Sequence, residues 1–520
     1  MGINYEAAVP RLARESFFSY GWYMNDMLKQ LPPGLISITR HLSQDFKSAR
    51  IYLVGGAVRD IILKRATKDY DLVVGGLAIK HLEGWLADHG KVSLVGRNFG
   101  VFKWQPAGWD GDVIDIALPR TEHVELGTGQ YRDFNIQSNS ELPIEEDLRR
   151  RDFTINALAL DLVTGQLIDP TNGQSDLKKR LIRAVGEADK RLNEDLSRTL
   201  RGLRQACQLE FEIETDTLKA ITKAATKTAN GKLNNEWLVP REVIARELLK
   251  ALAADPVRVI ELLDVTGFLK ELLPEVSAMK GVPQPPQFHS EGDVFEHTKL
   301  ALAATKSAGW KKFFALARPD FNTLVAILLH DIGKPLTIKT PETDGTDRIR
   351  TDNHDVVGAA LVGAICSRLK LTSYNDALLG LIEPEKISWL VAKHMILVHG
   401  QPEEFKPHTI YRYFWKDYQL GLSLQQLLFA DSYATKPQDG RDLTTSLTRL
   451  QKRLDEVGTR LDNNKQLKLL LSGDEIMKAF KLPPGPKIGQ LLKLLEEAQL
   501  EKTISTKTQA KSYLRSKLKD

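Results

Sequence analysis

Three aspartates pose the first chemical question. Asp69 and Asp71 flank one residue in "KDYDLVV", and residues i and i+2 of a strand point to the same face. Two bare carboxylates that close repel each other unless a cation lies between them. Mg2+ takes oxygen ligands, commonly one or two carboxylates plus substrate phosphates. A third acid, Asp115 in "DVIDIALPR", reads as mid-strand, where a neighbouring strand of one sheet would set it beside the first two. Paired ions in such a cradle steady the attacking and leaving oxygens of a phosphoryl displacement. Upstream, Gly55 and Gly56 close the apolar run "IYLV" and open a helical stretch. Their amides could approach a triphosphate, and Arg59, one turn on, could reach a phosphate oxygen. Two acids alone would read as a solvated strand edge; the glycines, the arginine and the third acid turn the reading towards nucleotide chemistry.

Two further patterns carry chemistry. In "EDLSRTLRGLRQ", Asp195 and Arg198 stand three apart, sharing a helix face, with Arg201 and Arg204 extending the row. Alone, such a pair is a surface contact worth ~0–1 kcal/mol. The segments "VFEHTKLAL", "LVAILLHDIGKP", "DNHDVVGAAL", "LVAKHMIL" and "LLFADSYAT" form a His- and Asp-bearing series. The doublet His330-Asp331, read as lying inside an apolar helix, is costly unless it binds something.

The elements that must position these groups follow from the patterning. At 520 residues two to four domains are expected. Residues 1–45 read as an amphipathic helical extension. From Ile51 to Asp169, "IYLVGG", "YDLVV", "KVSLVG", "FGVFKW" and "DVIDIAL" are short, β-rich and bounded by Gly or Asp. Beyond Asp169-Pro170, apolar residues fall at helical spacing. The proline-rich "KGVPQPPQFHS" breaks the helices, which resume to about residue 435 and end in a charged tail. Its last segment, "EKTISTKTQAKSYLRSKLKD", has six Lys/Arg against two Asp/Glu and reads as a solvated tail or a contact for a polyanion. No apolar run approaches the length of a membrane span. The charged N-terminal residues argue against an export signal, and Glu6 stands where a myristoylation motif wants Ser or Thr. The two cysteines, Cys207 and Cys366, sit in apolar helical patterns and read as buried free thiols of a cytoplasmic protein. The net charge of +5 permits nucleic-acid binding.

"GGAVRD…KDYDLVV", "EEDLRRRDFTINALA" and "NEDLSRTLRGLRQA", in that order over roughly residues 50–280, resemble the class II (bacterial-type) CCA-adding enzymes. These are tRNA nucleotidyltransferases of the polymerase-β superfamily. The histidine series resembles the HD phosphohydrolase superfamily. Together the resemblances imply an α+β chain: a small mixed-sheet nucleotidyltransferase head, then an all-α neck and body, an all-α HD domain and a helical tail. The corresponding boundaries are 46–170 for the head, 171–280 for the neck and body, 281–435 for the HD domain and 436–520 for the basic tail.

The resemblance implies a template-independent enzyme adding C and A from CTP and ATP to the tRNA 3′ end. Asp69, Asp71 and Asp115 would be catalytic, with Mg2+ on Asp69 and Asp71. Gly55, Gly56, Arg59, Arg150, Arg151, Asp152 and Asn156 would surround the nucleotide. Asp152 would accept from the ribose 2′-hydroxyl, and Asn156 would brace that motif. Asp195 and Arg198, with Arg201 and Arg204, would read the base edge. Cytosine and adenine each offer an amino group beside a ring acceptor; guanine and uracil offer a carbonyl there. His297, His330, Asp331 and Asp431 would hold a divalent transition metal, and His354 and His394 a second. Such a site is equipped for phosphoester hydrolysis. "ELGTGQYRDFNIQSNSELP" falls where the family keeps a mobile loop.

There are departures from the pattern. Gln205 follows Arg204 where Phe is frequent, and in "PREVIARELLKAL" Arg241 and Glu242 are transposed, so that segment receives no assignment by residue. The competing readings are a CC-adding or A-adding partner enzyme, a poly(A) polymerase, a regulatory protein nucleotidyltransferase carrying an HD domain, and a non-catalytic RNA-binding protein. The three acids argue against the last, because binding RNA does not call for them.

Overall fold

The structure, a computed structural model, describes residues 27–95, 101–124, 134–315, 317–462 and 466–518. It divides into two units. The first gathers residues up to 194 together with Glu212–Thr217, and the second takes Asp195–Phe211 and Leu218 onwards. Strands and helices together give the α+β class. Of the expected N-terminal helical extension, residues 1–26 lie outside the described residues, and Pro33–Asp45 is helical.

The first unit is built on a seven-stranded sheet. Its strands are β1 (Arg50–Val54), β2 (Asp71–Gly75), β3 (Gly90–Val95), β4 (Val101–Pro106), β5 (Ile114–Ala117), β8 (Ala159–Asp161) and β9 (Leu167–Ile168). Their spatial order is β3-β4-β5-β2-β1-β8-β9. β1 and β2, rich in Val, Leu, Ile and Tyr, are buried at four of five positions each, as central strands covered on both faces must be. β2 and β5 run parallel, and the other neighbouring pairs of this sheet are antiparallel. A parallel pair needs a crossover, supplied here by the helix Ile79–Asp88 and the β3–β4 hairpin. Tyr52, Val54 and Val73 pack with Ile144, Leu148, Ala157 and Val185 in one apolar cluster, which seats the Arg-Arg-Asp segment against the sheet.

Two expectations change here. Asp69 does not lie on a strand: β2 begins at Asp71, and Asp69 sits in the connection before it. Part of the expected loop is strand, since β7 (Phe134–Ser138) pairs antiparallel with β6 (Arg120–Val124). In the sequence, Phe134 and Ile136 alternate with Asn135 and Gln137, the period of a strand. Residues 125–133 of that stretch lie outside the described residues.

The second unit is helical apart from short two-stranded ribbons. All nine residues of the helix Phe321–Leu329 are buried, the mark of a helix apolar on all sides and enclosed by others. Asp320, Asp293 and Asp417 cap three of the helices by accepting from the backbone N–H groups of Thr323, Glu296 and Leu420. Among the described residues no helix is long and apolar enough to cross a membrane. Cys207 and Cys366 are buried, and burial pushes their thiols up to about 12 and about 11.

Candidate functional site

In the first unit the acids converge as strand neighbours. Asp71 and Asp115 are register partners on the parallel strands β2 and β5. Asp71 is the exposed residue of β2. The protein packed around it still lifts its carboxyl above the usual range, the Asp115 and Asp69 charges add to this, and Arg151 and Lys103 oppose it. Lys103, opposite Asp115 on β4, places its Nζ 2.8 and 3.1 Å from the two Asp115 oxygens. A carboxylate group that gathers cations and resists full ionisation suits a divalent ion.

The glycine turn closes over this edge. Gly55 has φ +73°, and a Cβ there would stand 2.9 Å from Arg151 Nη1 and 4.0 Å from Asp71 Oδ2, so glycine meets both a backbone and a space requirement. Its amide donates to the Leu158 carbonyl at 3.1 Å. The expected approach of both glycine amides to phosphates therefore reduces to Gly56.

Arg59 is tied in place. Its Nη1 donates to Asn156 Oδ1 at 2.8 Å, and its Nε and Nη2 donate to Asp60 at 2.9 and 3.0 Å. Asn156 Nδ2 in turn donates to Asp152 Oδ1 at 3.1 Å, and that oxygen also accepts the Phe153 N–H at 2.7 Å. Arg59, Asn156 and Asp152 thus form one hydrogen-bonded chain. Arg150 and Arg151 share an acceptor: Arg150 Nη2 lies 2.5 Å from Asp147 Oδ1, and Arg151 Nη2 lies 3.2 Å from Asp147 Oδ2. Asp147 is fully buried. Burial alone would raise its carboxyl, yet Arg151 and Arg150 hold it below the usual range.

The base-reading candidates belong to the second unit. Asp195 is not helical: the helix begins at Ser197, and Asp195 precedes it, accepting the Ser197 N–H at 2.9 Å. Asp195 and Arg198 are both buried, unlike a solvated surface pair. Arg204 Nε donates to Glu247 Oε2 at 2.5 Å, and Arg246 Nη2 lies 3.2 Å from Glu247 Oε1. Burial raises the Glu247 carboxyl, but Arg204 and Arg201 bring it below its usual range.

The histidine series also converges within the second unit. His297, His330 and Asp431 form one set of facing ligand atoms, and Asp331, His354 and His394 another. Asp331 joins them. Its Oδ1 lies 3.4 Å from His354 Nε2 and 3.7 Å from His394 Nε2; its Oδ2 lies 3.3 Å from His330 Nε2 and 3.8 Å from His297 Nε2. The doublet is not inside the apolar helix, which ends at Leu329; it occupies the turn just beyond.

The donors fit a metal. His330, His354 and His394 each place Nδ1 2.6–2.8 Å from the backbone carbonyl three residues earlier. A carbonyl can only accept, so Nδ1 carries the proton and Nε2 presents a lone pair. His354 Nε2 and His394 Nε2 lie 3.1 Å apart, and burial holds His394 down at about 4. Two facing lone pairs need a cation or a shared proton between them. His330 Nε2 and Asp331 Oδ1 are buried without a hydrogen-bond partner, as ligand atoms awaiting an ion would be. Against burial, His330 and Lys334 hold the Asp331 carboxyl far below its usual range.

The sequence matches the poly(A) polymerase head domain family over residues 51–183 and the HD domain family over residues 294–435. It is 38% identical over 328 residues to a multifunctional CCA protein of Xanthomonas euvesicatoria pv. vesicatoria, covering 62% of this chain and 71% of that one. The chain belongs to the multifunctional CCA protein family. A relative of that name from Nitrosococcus oceani is 35% identical over 365 residues, covering 69% of this chain and 77% of its own. The Bacillus stearothermophilus CCA-adding enzyme in complex with CTP shares the fold, with a TM-score of 0.61 at 20% identity over 94% of this chain and 98% of that one. So does the Thermotoga maritima CCA-adding enzyme complexed with tRNA, with a TM-score of 0.59 at 19% identity over 95% and 98%.

Within the family frame, five residues emerge that sequence reasoning did not single out. Asp147 and Lys103 serve the head, Glu247 holds Arg204, and Glu291 and Lys334 adjoin the histidine cluster. Asp147 had a readable signal: it stands three and four residues before Arg150 and Arg151, the spacing of same-face helix partners. Lys334 follows Asp331 at the same spacing and lies 2.7 Å from its Oδ2. Lys103 and Glu247 become partners only through strand and helix pairing, which single-sequence spacing does not display.

Proposed function

We propose that the head joins an incoming CTP or ATP to the 3′-hydroxyl of a tRNA lacking all or part of its CCA end. Membership of the multifunctional CCA protein family makes the chain a template-independent tRNA nucleotidyltransferase. The observation that carries the assignment to residues is the register pairing of Asp71 with Asp115 beside the Gly55 turn. Asp71, Asp115 and Asp69 would hold Mg2+, which when bound supplies positive charge against the triphosphate. The 3′-oxygen bonds to the α-phosphorus as the bond to pyrophosphate breaks, and the hydroxyl proton is lost to solvent or a carboxylate. Arg150 and Arg151, spread by Asp147, would bind phosphates in a fixed fork. Asp152 would accept from the ribose 2′-hydroxyl, with Arg59 and Asn156 orienting it. Asp195 would accept from the exocyclic amine of cytosine or adenine while Arg198 donates to the adjacent ring acceptor, with Arg201 and Arg204 continuing the cationic row.

For the HD domain, we propose metal-dependent hydrolysis of a phosphoester. His297, His330, Asp331 and Asp431 would hold one divalent transition metal, and Asp331, His354 and His394 a second; when bound, these supply Lewis acidity. Lys334, buried 2.7 Å from Asp331 Oδ2 and donating to Gln284 Oε1 at 2.8 Å, would keep Asp331 ionised and turned towards both sets. The proposed organisation is a head over 46–170, a neck and body over 171–280, the HD domain over 281–435 and a basic tail over 436–520 that contacts tRNA. A cytoplasmic location is supported by the two buried free thiols.

The test is extension of three tRNAs, ending before CCA, after the first C and after CC, with labelled CTP, ATP or both and Mg2+. Completion of all three establishes a full CCA-adding enzyme. Addition confined to C or to the final A makes it a split-function partner. No incorporation into any substrate defeats the proposal.

A further inference from the structure

The four imidazoles of the histidine cluster are not held alike. His330, His354 and His394 stand at helix ends, where the carbonyl three residues back is within reach of Nδ1. His297 is the fourth residue of the helix Val294–Ala304. Its equivalent carbonyl, that of Val294, already accepts the Thr298 hydroxyl at 2.9 Å. His297 needs an outside acceptor, and Glu291 provides one: Oε1 lies 2.8 Å from His297 Nδ1 and 2.7 Å from His289 Nδ1.

Glu291 is itself anchored. Its Oε2 accepts the Lys436 N–H at 2.9 Å, while the Lys436 carbonyl accepts the Ser290 N–H and hydroxyl, each at 2.8 Å. Lys436 lies just past the helix Tyr418–Ala434 that carries Asp431. His297 Nε2 in turn faces Asp431 Oδ1 at 3.1 Å.

His289, Glu291 and His297 come close enough to suggest a metal set of their own, but their spacing argues otherwise. Two ligands of one ion, with bonds of ~2.1 Å, stand about 3 Å or more apart. The 2.7 and 2.8 Å separations here are hydrogen bonds, whereas the Nε2 side of the cluster has the wider spacing.

We infer that Glu291 is a positioning residue of the HD metal centre: it fixes His297 with the proton on Nδ1 and the lone pair on Nε2, and it fastens that ligand to the end of the helix bearing Asp431. The inference rests on the metal reading given above. A carboxylate acceptor on Nδ1 also raises the donor strength of the imidazole towards a metal.

The test uses the full chain, stripped of metal and titrated with Co2+, with the d–d absorption spectrum recorded. Glu291→Ala is expected to weaken Co2+ binding about 10- to 100-fold and to alter the spectrum. Glu291→Gln, which keeps one acceptor oxygen but no charge, is expected to fall between Glu291→Ala and wild type. Wild-type affinity and spectrum in Glu291→Ala overturn the inference. If Glu291→Ala does not fold, Glu291→Gln decides in the same way. Wild type that takes up no Co2+ overturns the parent metal reading, and this one with it.

Discussion

Asp71 and Asp115 face each other as register partners on two parallel strands, with Lys103 on the next strand bridging both oxygens of Asp115. Parallel neighbours hold their side chains in fixed relation, so this pair is set by the sheet rather than by a loop. Asp71→Asn and Asp115→Asn preserve shape and remove charge. Each is expected to lower single-turnover nucleotide incorporation by more than about 100-fold while leaving the melting temperature nearly unchanged. More than about one-tenth of wild-type incorporation in either variant would remove that residue from the reaction.

Asp147 is buried beneath Arg150 and Arg151 and ionised because of them. Removing one partner of a buried ionic set leaves charge uncompensated, at a cost of about 3 kcal/mol. Asp147→Asn should destabilise the chain by that order and weaken binding of CTP and ATP together. The pH dependence has a defined sign. The folded carboxyl lies below its unfolded value, so its stabilisation is complete above about pH 4 and fades as pH falls through the folded value. Thermal denaturation should show a wide gap between wild type and Asp147→Asn at pH 7 that narrows below about pH 4. An equal gap at both would mean that the charge is not the source.

Much of this was legible in the chain, for reasons that differ by element. β1, β2 and β5 announce themselves because each is a short β-rich run with Gly or Asp close to one end, and Asp115 stands where a strand would carry it beside Asp71. The histidine series was legible because imidazole and carboxylate are rare in apolar helices. Positions at element ends were not. Asp69, Asp195 and the His330-Asp331 doublet were read into a strand or helix and lie one or two residues outside it. Strand and helix periodicities extrapolate past a terminus with no local signal of the stop. That displacement matters chemically: a residue beyond the last turn is free of the helical ladder, and His330 there turns Nδ1 to the Ile327 carbonyl at 2.8 Å. Glu291 was invisible because its work depends on contacts with His297 and Lys436, 6 and 145 residues away.

Asp195 has two tasks that one substitution separates. It accepts the Ser197 N–H at the start of its helix, and it is proposed to accept the amine of the incoming base. Asparagine keeps an acceptor for the helix start but offers an amide donor where a carbonyl-bearing base could use it. Asp195→Asn should therefore fold normally, lose CTP and ATP incorporation, and gain relative use of UTP or GTP. A shift of about 10-fold or more in the ratio of CTP to UTP incorporation is expected. Equal losses for all four nucleotides with a lowered melting temperature would assign Asp195 to structure alone.

Metal removal should act on stability as well as on chemistry. His354 Nε2 and His394 Nε2 stand 3.1 Å apart with both Nδ1 protons committed to carbonyls, and Asp331 Oδ1 is buried without a hydrogen-bond partner. An ion that settles these atoms binds the folded state and not the unfolded one. At a free concentration 100-fold above its dissociation constant it adds about 2.7 kcal/mol. Calorimetry of the full chain should show a transition that falls on chelation and recovers with Mn2+ or Co2+. His394→Ala, which removes one of the two facing Nε2 atoms, should show a smaller rise in melting temperature with metal than wild type. A wild-type transition indifferent to chelator, at matched ionic strength, would mean that the buried imidazoles share a proton instead of an ion.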